Sequence, residues 1–361
     1  MAYRRTVFFV SLCGVVAILS LAQYYGGIFP VSFDVTSLKG FHSQVDQDVA
    51  VQRGNLQEIN DVTKSNTKVT ASLSDEGKPD MEKIQKRRLH TLTKACNKMK
   101  NSKYYHKPNL FHKYGLIYDS KHQLLYCPVP KTGATSWKRV FLVLRGTYRT
   151  TEGLHHSLVQ HEYRYPTLNS VEAKRRTKMY SSYTKIIFAR HPLQRILSAY
   201  RNKLERANGS FKRYGTSIVA RYRHNASNIP ATGRYVAPTF HEFVKYLLDP
   251  TNQAHLNRHW GFMHQMCAVC ETYYDFIGHF ENLQEEANYI IHKTAGNEFS
   301  YPGYSTHVTN SSHTDIYMNY FSEIPDHDIV QLYNKFKMDF EVFGYSFPHE
   351  LLRTEQTNEI H

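Results

Sequence analysis

Lys131, Thr132, Gly133, Ala134, Thr135 and Ser136 stand together inside CPVPKTGATSWKRVF, residues 127–141. These residue types in this order suit an anion. Gly and Ala let the backbone come close to a ligand. Successive N–H groups at a helix start form a nest that the helix dipole strengthens. Thr135 and Ser136 add hydroxyls, and Lys131 can reach over a bound phosphate as a point charge. The order is not that of a Walker loop, in which the Lys opens the helix after the second Gly. An ordinary kinase or ATPase is therefore disfavoured. A plain strand–turn–helix connection with Thr and Ser as caps would use the same letters, so the turn alone decides nothing further.

A second set lies in ARHPLQRILSAYRNK, residues 189–203. Arg190 closes an apolar run, and Arg195 and Ser198 are three apart, on one face of a helix. That face is expected roughly opposite Leu193, Ile196, Leu197 and Tyr200. An Arg at a strand's carboxyl end and a Ser on the next helix can grip a phosphate by charge-assisted hydrogen bonds. By itself the segment reads more readily as a solvated basic helix face. Two strand–turn–helix units, each with such a grip, suggest a nucleotide carrying phosphates at two separate places.

The elements that must position these residues show in the apolar pattern. Residues 122–129 read as a short strand, and Trp137, Val140, Phe141 and Leu144 follow at the spacing of one helix face. TKIIFAR (184–190) reads as a strand buried on both sides. Pro192 suits a first helical turn, and Leu193, Ile196, Leu197 and Tyr200 repeat the helical spacing. Phe240, Phe243, Val244, Leu247 and Leu248 predict another helix, residues 275–280 a short strand, and Ile329, Leu332, Tyr333, Phe336 and Phe340 a last long helix. MEKIQKRRLHTLTKACNKM (81–99) also has helical spacing. Alternation of this kind predicts an α/β domain with a parallel sheet over about 81–350.

The chain has 361 residues, a formal charge of +14 and 14% aromatics, which favours polyanionic partners and a packed core over wholesale disorder. Arg4 and Arg5 precede an uncharged stretch long enough to cross a bilayer. It predicts a cytosolic tail (1–5), a signal-anchor (6–25) in preference to a cleaved signal, a flexible lumenal stem (26–80) and a short tail after the domain (351–361). Cys96, Cys127, Cys267 and Cys270 would then face an oxidising lumen, where two disulfides have three possible connectivities. The single CxxC is too few ligands for a zinc site. Asn208, Asn225 and Asn310 are glycosylation acceptors by sequence. With this anchor, nucleic acid is not the expected polyanion.

PKTGATSWKRV resembles the 5′-phosphosulfate loop of sulfotransferases that use 3′-phosphoadenosine 5′-phosphosulfate (PAPS), and FARHPLQRILSAYRNK resembles their 3′-phosphate element. FKRYGTSIVARYRHNAS, FHEFVKYLLDP, NRHW, CAVC, YDFIGHFENL and LYNKFKMDFEVFGYS extend the likeness over nearly all of 81–347. Together they are similar to the chondroitin 4-O-, dermatan 4-O-, N-acetylgalactosamine 4-O- and HNK-1 sulfotransferases, with the chondroitin branch nearest. The resemblance implies a P-loop-like sulfotransferase fold with a central parallel sheet flanked by helices, a Golgi membrane location, a glycan acceptor and no metal. It implies that Lys131 binds the phosphosulfate and steadies the leaving oxygen. The run Thr132, Gly133, Ala134, Thr135, Ser136 and Trp137 would form the donor loop, and Arg190 and Ser198 would hold the 3′-phosphate. The chain departs from the branch at His191, where an acidic residue is usual.

Transfer to a sugar hydroxyl calls for a base. His155 and His156 in GLHHSLVQH are the first candidates, and His259 in NRHW is another. Arg201, Lys203, Lys212, Arg213, Arg221 and Arg223 are expected either to line an acidic-glycan groove or to be solvated surface. The competing reading is a lumenal polyanion-binding protein that kept the fold without the chemistry, which would have no use for an intact Lys131, Gly133, Arg190 and Ser198 set.

Overall fold

The computed structural model describes residues 80–101, 115–206, 209–223, 235–303, 311 and 313–353. The expected anchor, nearly all of the stem and the three acceptor asparagines lie outside them. Among the described residues no helix is long and apolar enough to cross a membrane.

Four strands form one sheet in the order β1 (Ile117–Asp119), β2 (Leu124–Cys127), β3 (Thr184–Ala189), β4 (Phe276–His279). β2, β3 and β4 are parallel, with Ile186 opposite both Tyr126 and Phe276. β1 runs antiparallel to β2. The expected parallel sheet thus has an antiparallel edge strand: the turn over 120–123 is too short for a crossover, so the chain can only fold back.

Period-two alternation sends the strand side chains to two cores. Tyr126, Ile186, Phe188 and Phe276 pack with Trp137, Val140 and Phe141 of α2 (Ala134–Leu144) and with Ile290 and Ile291 of a helix over Leu283–Ala295. Leu125, Cys127, Ile187, Ala189 and Ile277 pack on the other side with Leu92 and Ala95 of α1 (Met81–Lys100) and with Val342 and Phe343. Burial on both faces is why these strands are apolar throughout. Gly278 is required by the first core, since a Cβ there would come within 2.2 Å of the Phe188 ring.

A third helix, α3 (Ala173–Ser182), precedes β3, and α4 (Pro192–Tyr200) follows it. α4 packs with α5 (Phe211–Tyr222), α6 (Phe240–Leu248), α8 (Thr314–Phe321) and α9 (Asp326–Phe343), around Phe240, Phe243, Trp260 and Phe336; the Leu283–Ala295 helix is α7. α6 begins with a reciprocal cap between Thr239 and Glu242. α9 returns to cover the sheet through Val342 and Phe343.

Two disulfides, Cys96–Cys270 and Cys127–Cys267, pin the segment after α6 to α1 and to the end of β2. The CxxC is therefore split between two bridges and offers no thiolate to a metal. The bridges close loops spanning 174 and 140 residues. Replacing Cys127 and Cys267 together by Ser is expected to destabilise the domain by about 2–5 kcal/mol. Urea unfolding of the double variant against the parent measures this, and an unchanged midpoint would refute it.

Candidate active site

The turn after β2 is built by backbone strain and buried polar contacts. Lys131 has φ +75° and Gly133 φ +82°, so the chain passes twice through the left-handed region within three residues. Gly tolerates this freely, whereas a Lys pays strain for it. Gly133 is also forced by space: a Cβ would lie 2.6 Å from Leu283 Cδ2 and 3.0 Å from the Tyr301 hydroxyl. Between the two, Thr132 is fully buried and donates its hydroxyl to Val129 O at 3.0 Å. α2 starts at Ala134 with no side-chain cap, so the N–H groups of its first turn are left for another acceptor.

Thr135 and Ser136 stand in that first turn. Gln160 donates to Thr135 Oγ1 at 2.6 Å and accepts from Lys138 Nζ at 2.8 Å. Trp137 needs a correction as a ligand-facing residue. Its ring is wholly buried against Tyr126, Phe188 and Tyr301, and its backbone N–H closes the first helical turn on Gly133 O.

Arg190 reaches across from the end of β3. Its Nη1 donates to Lys131 O at 3.2 Å, and its guanidinium lies 4.3 Å from the centre of the Phe280 ring. The two strand–turn–helix units are thereby joined. Arg195 and Ser198 are both 1% exposed, which overturns the expected solvated face: α4 is buried almost all round. Arg195 is a clasp. Nε donates to Pro130 O at 3.0 Å, Nη1 to Gly261 O at 2.8 Å and Nη2 to Arg258 O at 2.9 Å. It ties the Lys131 turn to the segment 258–261, a role that spacing alone could not reveal.

Burial and crowding of like charge govern the electrostatics. Desolvation first, then the charges of Arg190, Lys203 and Arg195, push the Lys131 amine down to about 7. Burial lowers Arg190 to about 10, against the opposing pull of Glu281. Lys203 sits 4.8 Å over the Phe211 ring on a π-helical turn, Arg201–Glu205, that extends α4; burial lowers it as well. Such turns recur at functional sites. Cations gathered with burial in this way are favourable when an anion lies among them. The residues therefore fit a ligand with two phosphate-type groups.

The remaining candidates separate. His155 is exposed, and His156 lies 6.0 Å from His161, ring to ring. The segment that carries them touches the donor turn through Gln160. His259 lies on the other side of the turn, held by Asn257, and its environment is set by Lys203, Arg258, Lys131 and Arg195. Of the expected glycan-groove cations, Arg223 is paired with Glu242 at 2.8 Å and Arg221 with Asp249 at 2.8 Å. Arg201 is near Glu205 at 3.5 Å, while Lys212 and Arg213 are exposed. Lys203 alone of that group bears on Lys131.

An acid does stand beside His191 in space. Glu281 accepts from the His191 backbone N–H at 2.9 Å and from the Tyr345 hydroxyl at 2.8 Å. Burial, with the Arg190 charge adding to it, lowers His191 to about 4. A polar cavity of about 590 Å³ opens beyond His191, lined also by Arg87, His279, Asn282, Tyr345 and Glu350. It adjoins Arg190 through His191, and Lys131, Arg190, Arg195 and Ser198 do not line it.

Residues missed in the sequence include Gln160, Tyr301, Glu281 and the positioning role of Arg195. Only the run NRHW, which carries Arg258 beside His259, held a signal for any of this neighbourhood.

An α/β fold that joins two strand–turn–helix units through one buried cationic cluster suits a ligand with two phosphate-type groups. Residues 114–346 match the sulfotransferase family. Carbohydrate sulfotransferase 11 of Rattus norvegicus is 37% identical over 245 residues, covering 65% of this chain and 68% of that protein. Carbohydrate sulfotransferase 9 of Homo sapiens is 31% identical over 272 residues (74% and 61%), and carbohydrate sulfotransferase 10 of Gallus gallus is 35% identical over 248 residues (64% and 66%). No solved structure matches the chain. The chain belongs to the sulfotransferase family and is an enzyme.

Proposed function

We propose that this enzyme transfers the sulfuryl group of PAPS to a glycan hydroxyl, first of all the 4-hydroxyl of N-acetylgalactosamine in chondroitin. The observation that carries the reading is the hydrogen bond from Arg190 to Lys131 O, which closes one cationic cradle across two phosphate grips. PAPS bears phosphates at both ends of its ribose and, when bound, supplies the activated sulfuryl group. Lys131 would neutralise charge developing on the leaving oxygen, and the N–H groups of the first turn of α2 would hold the 5′-phosphate. Arg190 and Ser198 would hold the 3′-phosphate. Catalysis then rests on positioning and on charge placed before the reaction starts.

The glycan acceptor follows the names of the relatives, and the surplus of cations on the chain suits an acidic polysaccharide. The two disulfides agree with an oxidising compartment. A Golgi lumen behind a single N-terminal anchor, with the domain boundaries given above, is part of the same proposal.

Labelled PAPS offered with desulfated chondroitin, dermatan, N-glycan and glucuronyl acceptors tests it. Label should pass to chondroitin most rapidly. Preference for another glycan would move the acceptor assignment. Absence of both transfer and binding of adenosine 3′,5′-bisphosphate would end the proposal.

A further inference from the structure

His259 has one ring nitrogen committed and one free for chemistry. Its backbone N–H donates to Asn257 Oδ1 at 3.0 Å, and its Nδ1 lies 2.7 Å from the same oxygen. Because a backbone N–H can only donate, the Asn257 atom facing it is the amide oxygen. That oxygen can only accept, so Nδ1 carries the proton and Nε2 carries the lone pair. The ring is further fixed by the Phe211 ring, edge-on at 5.2 Å. An oriented imidazole with a free Nε2 is the arrangement of a general base.

Its surroundings place it at the donor cradle. The charges that act on it are those of Lys203 on the π-helical turn after α4, Arg258 beside it in its own segment, Lys131 on the turn after β2, and Arg195 on α4. Arg195 also bonds the carbonyls of Pro130, Arg258 and Gly261, so the segment bearing His259 and the turn bearing Lys131 share one anchor. His155, by contrast, is exposed.

We propose that His259, oriented by Asn257, takes the proton of the acceptor hydroxyl. The proposal rests on the sulfotransferase reading above. In the step, the acceptor oxygen forms a bond to sulfur and its proton passes to His259 Nε2. The bond from sulfur to the 5′-phosphate oxygen breaks, and its electron pair stays on that oxygen, which Lys131 neutralises. The products are a sulfate ester, adenosine 3′,5′-bisphosphate and a protonated His259.

Burial first, and then Lys203, Arg258, Lys131 and Arg195, lower His259 to about 2 in the free enzyme. A ring so depressed is neutral at every physiological pH but a poor proton acceptor. An anionic donor offsets those charges and raises its affinity for a proton as the reaction becomes possible. The sign is definite. The neutral ring is the active form, so the contribution of His259 is lost as pH falls through its lowered pKa.

The test uses the full chain. His259→Gln should lower kcat by about 10²–10⁴-fold and leave the affinity for adenosine 3′,5′-bisphosphate within about twofold, by calorimetry. Imidazole-labelled protein should show a ring signal, absent in His259→Gln, that does not titrate above pH 5 alone but does so once adenosine 3′,5′-bisphosphate is added. Asn257→Asp, which puts a carboxylate at Nδ1, should move the acid limb of kcat/KM toward neutral pH. If His259→Gln fails to fold, the Asn257→Asp limb decides, and an unmoved limb overturns the proposal. A His259→Gln variant with kcat within tenfold of the parent, or a ring signal indifferent to the nucleotide, also overturns it. Failure of the parent itself to transfer label would instead refute the sulfotransferase reading.

Discussion

Lys131→Gly is expected to lose sulfuryl transfer by about 10³-fold while folding at least as stably as the parent. Lys131 is held at φ +75°, where a residue with a Cβ is strained by roughly 1–2 kcal/mol. Gly removes that strain, and it removes an amine that burial and three neighbouring cations disfavour. The greater backbone freedom of Gly in the unfolded chain costs about 0.5–1 kcal/mol in the other direction. Lys131→Ala lacks the first benefit, so it should be the less stable of the two and equally inactive. A stability order of Gly above Ala with both inactive would separate the chemical role from the structural one. Transfer within tenfold of the parent would refute the role of the amine.

The same amine should make nucleotide binding depend on pH. Its pKa is lowered to about 7 in the free enzyme, and an anion binds the protonated form better. Affinity for adenosine 3′,5′-bisphosphate is thus full below about pH 7 and falls as pH rises through it. Lys131→Met should flatten that fall. The fold itself responds in the opposite sense. A lysine whose folded pKa lies below its unfolded value weakens the free enzyme most where it is protonated, so stability rises from about pH 7 toward the ordinary lysine range.

Arg195→Ala is expected to cost stability and donor binding together. The buried carbonyls of Pro130 and Gly261 and the partly buried one of Arg258 would each lose a charged donor. Buried unsatisfied groups cost about 1–3 kcal/mol apiece, so a loss of roughly 3 kcal/mol or more is expected in urea unfolding. Nucleotide affinity should fall at least tenfold, because the turn carrying Lys131 loses its anchor. Arg195→Lys should recover little, since one ammonium cannot span three acceptors in fork geometry. A midpoint within error of the parent, with unchanged affinity, would show that the clasp is dispensable.

The strands and the main helices were legible because their signals are local. A strand covered on both faces must be apolar throughout, as Ile186, Ile187 and Phe188 are, and a helix must repeat its apolar residues with its own turn. The anion turn was legible for the same reason: Lys131, Gly133 and the hydroxyls follow one another along the chain. α3, α5, α7 and α8 were not identified as helices, and β1 was not identified as a strand. α3 has one buried residue in ten, and β1 is three residues long, so neither carries much periodicity.

Other features depend on which distant groups meet. Four cysteines can pair in three ways, and only the approach of α1 and β2 to one segment selects Cys96–Cys270 and Cys127–Cys267. Arg195 looks like surface in the sequence because an Arg usually is. It is buried because three carbonyls from two loops converge on it. His155 and His156 lie closer in sequence to the anion turn, yet proximity along the chain does not orient a ring. The sequence by itself determined the anion-binding turn, the apolar frame and the kinship, all of which are written in neighbouring residues. The tertiary structure alone decided that Lys131, Arg190, Arg195, Lys203 and His259 share one neighbourhood, because charges and lone pairs act through space.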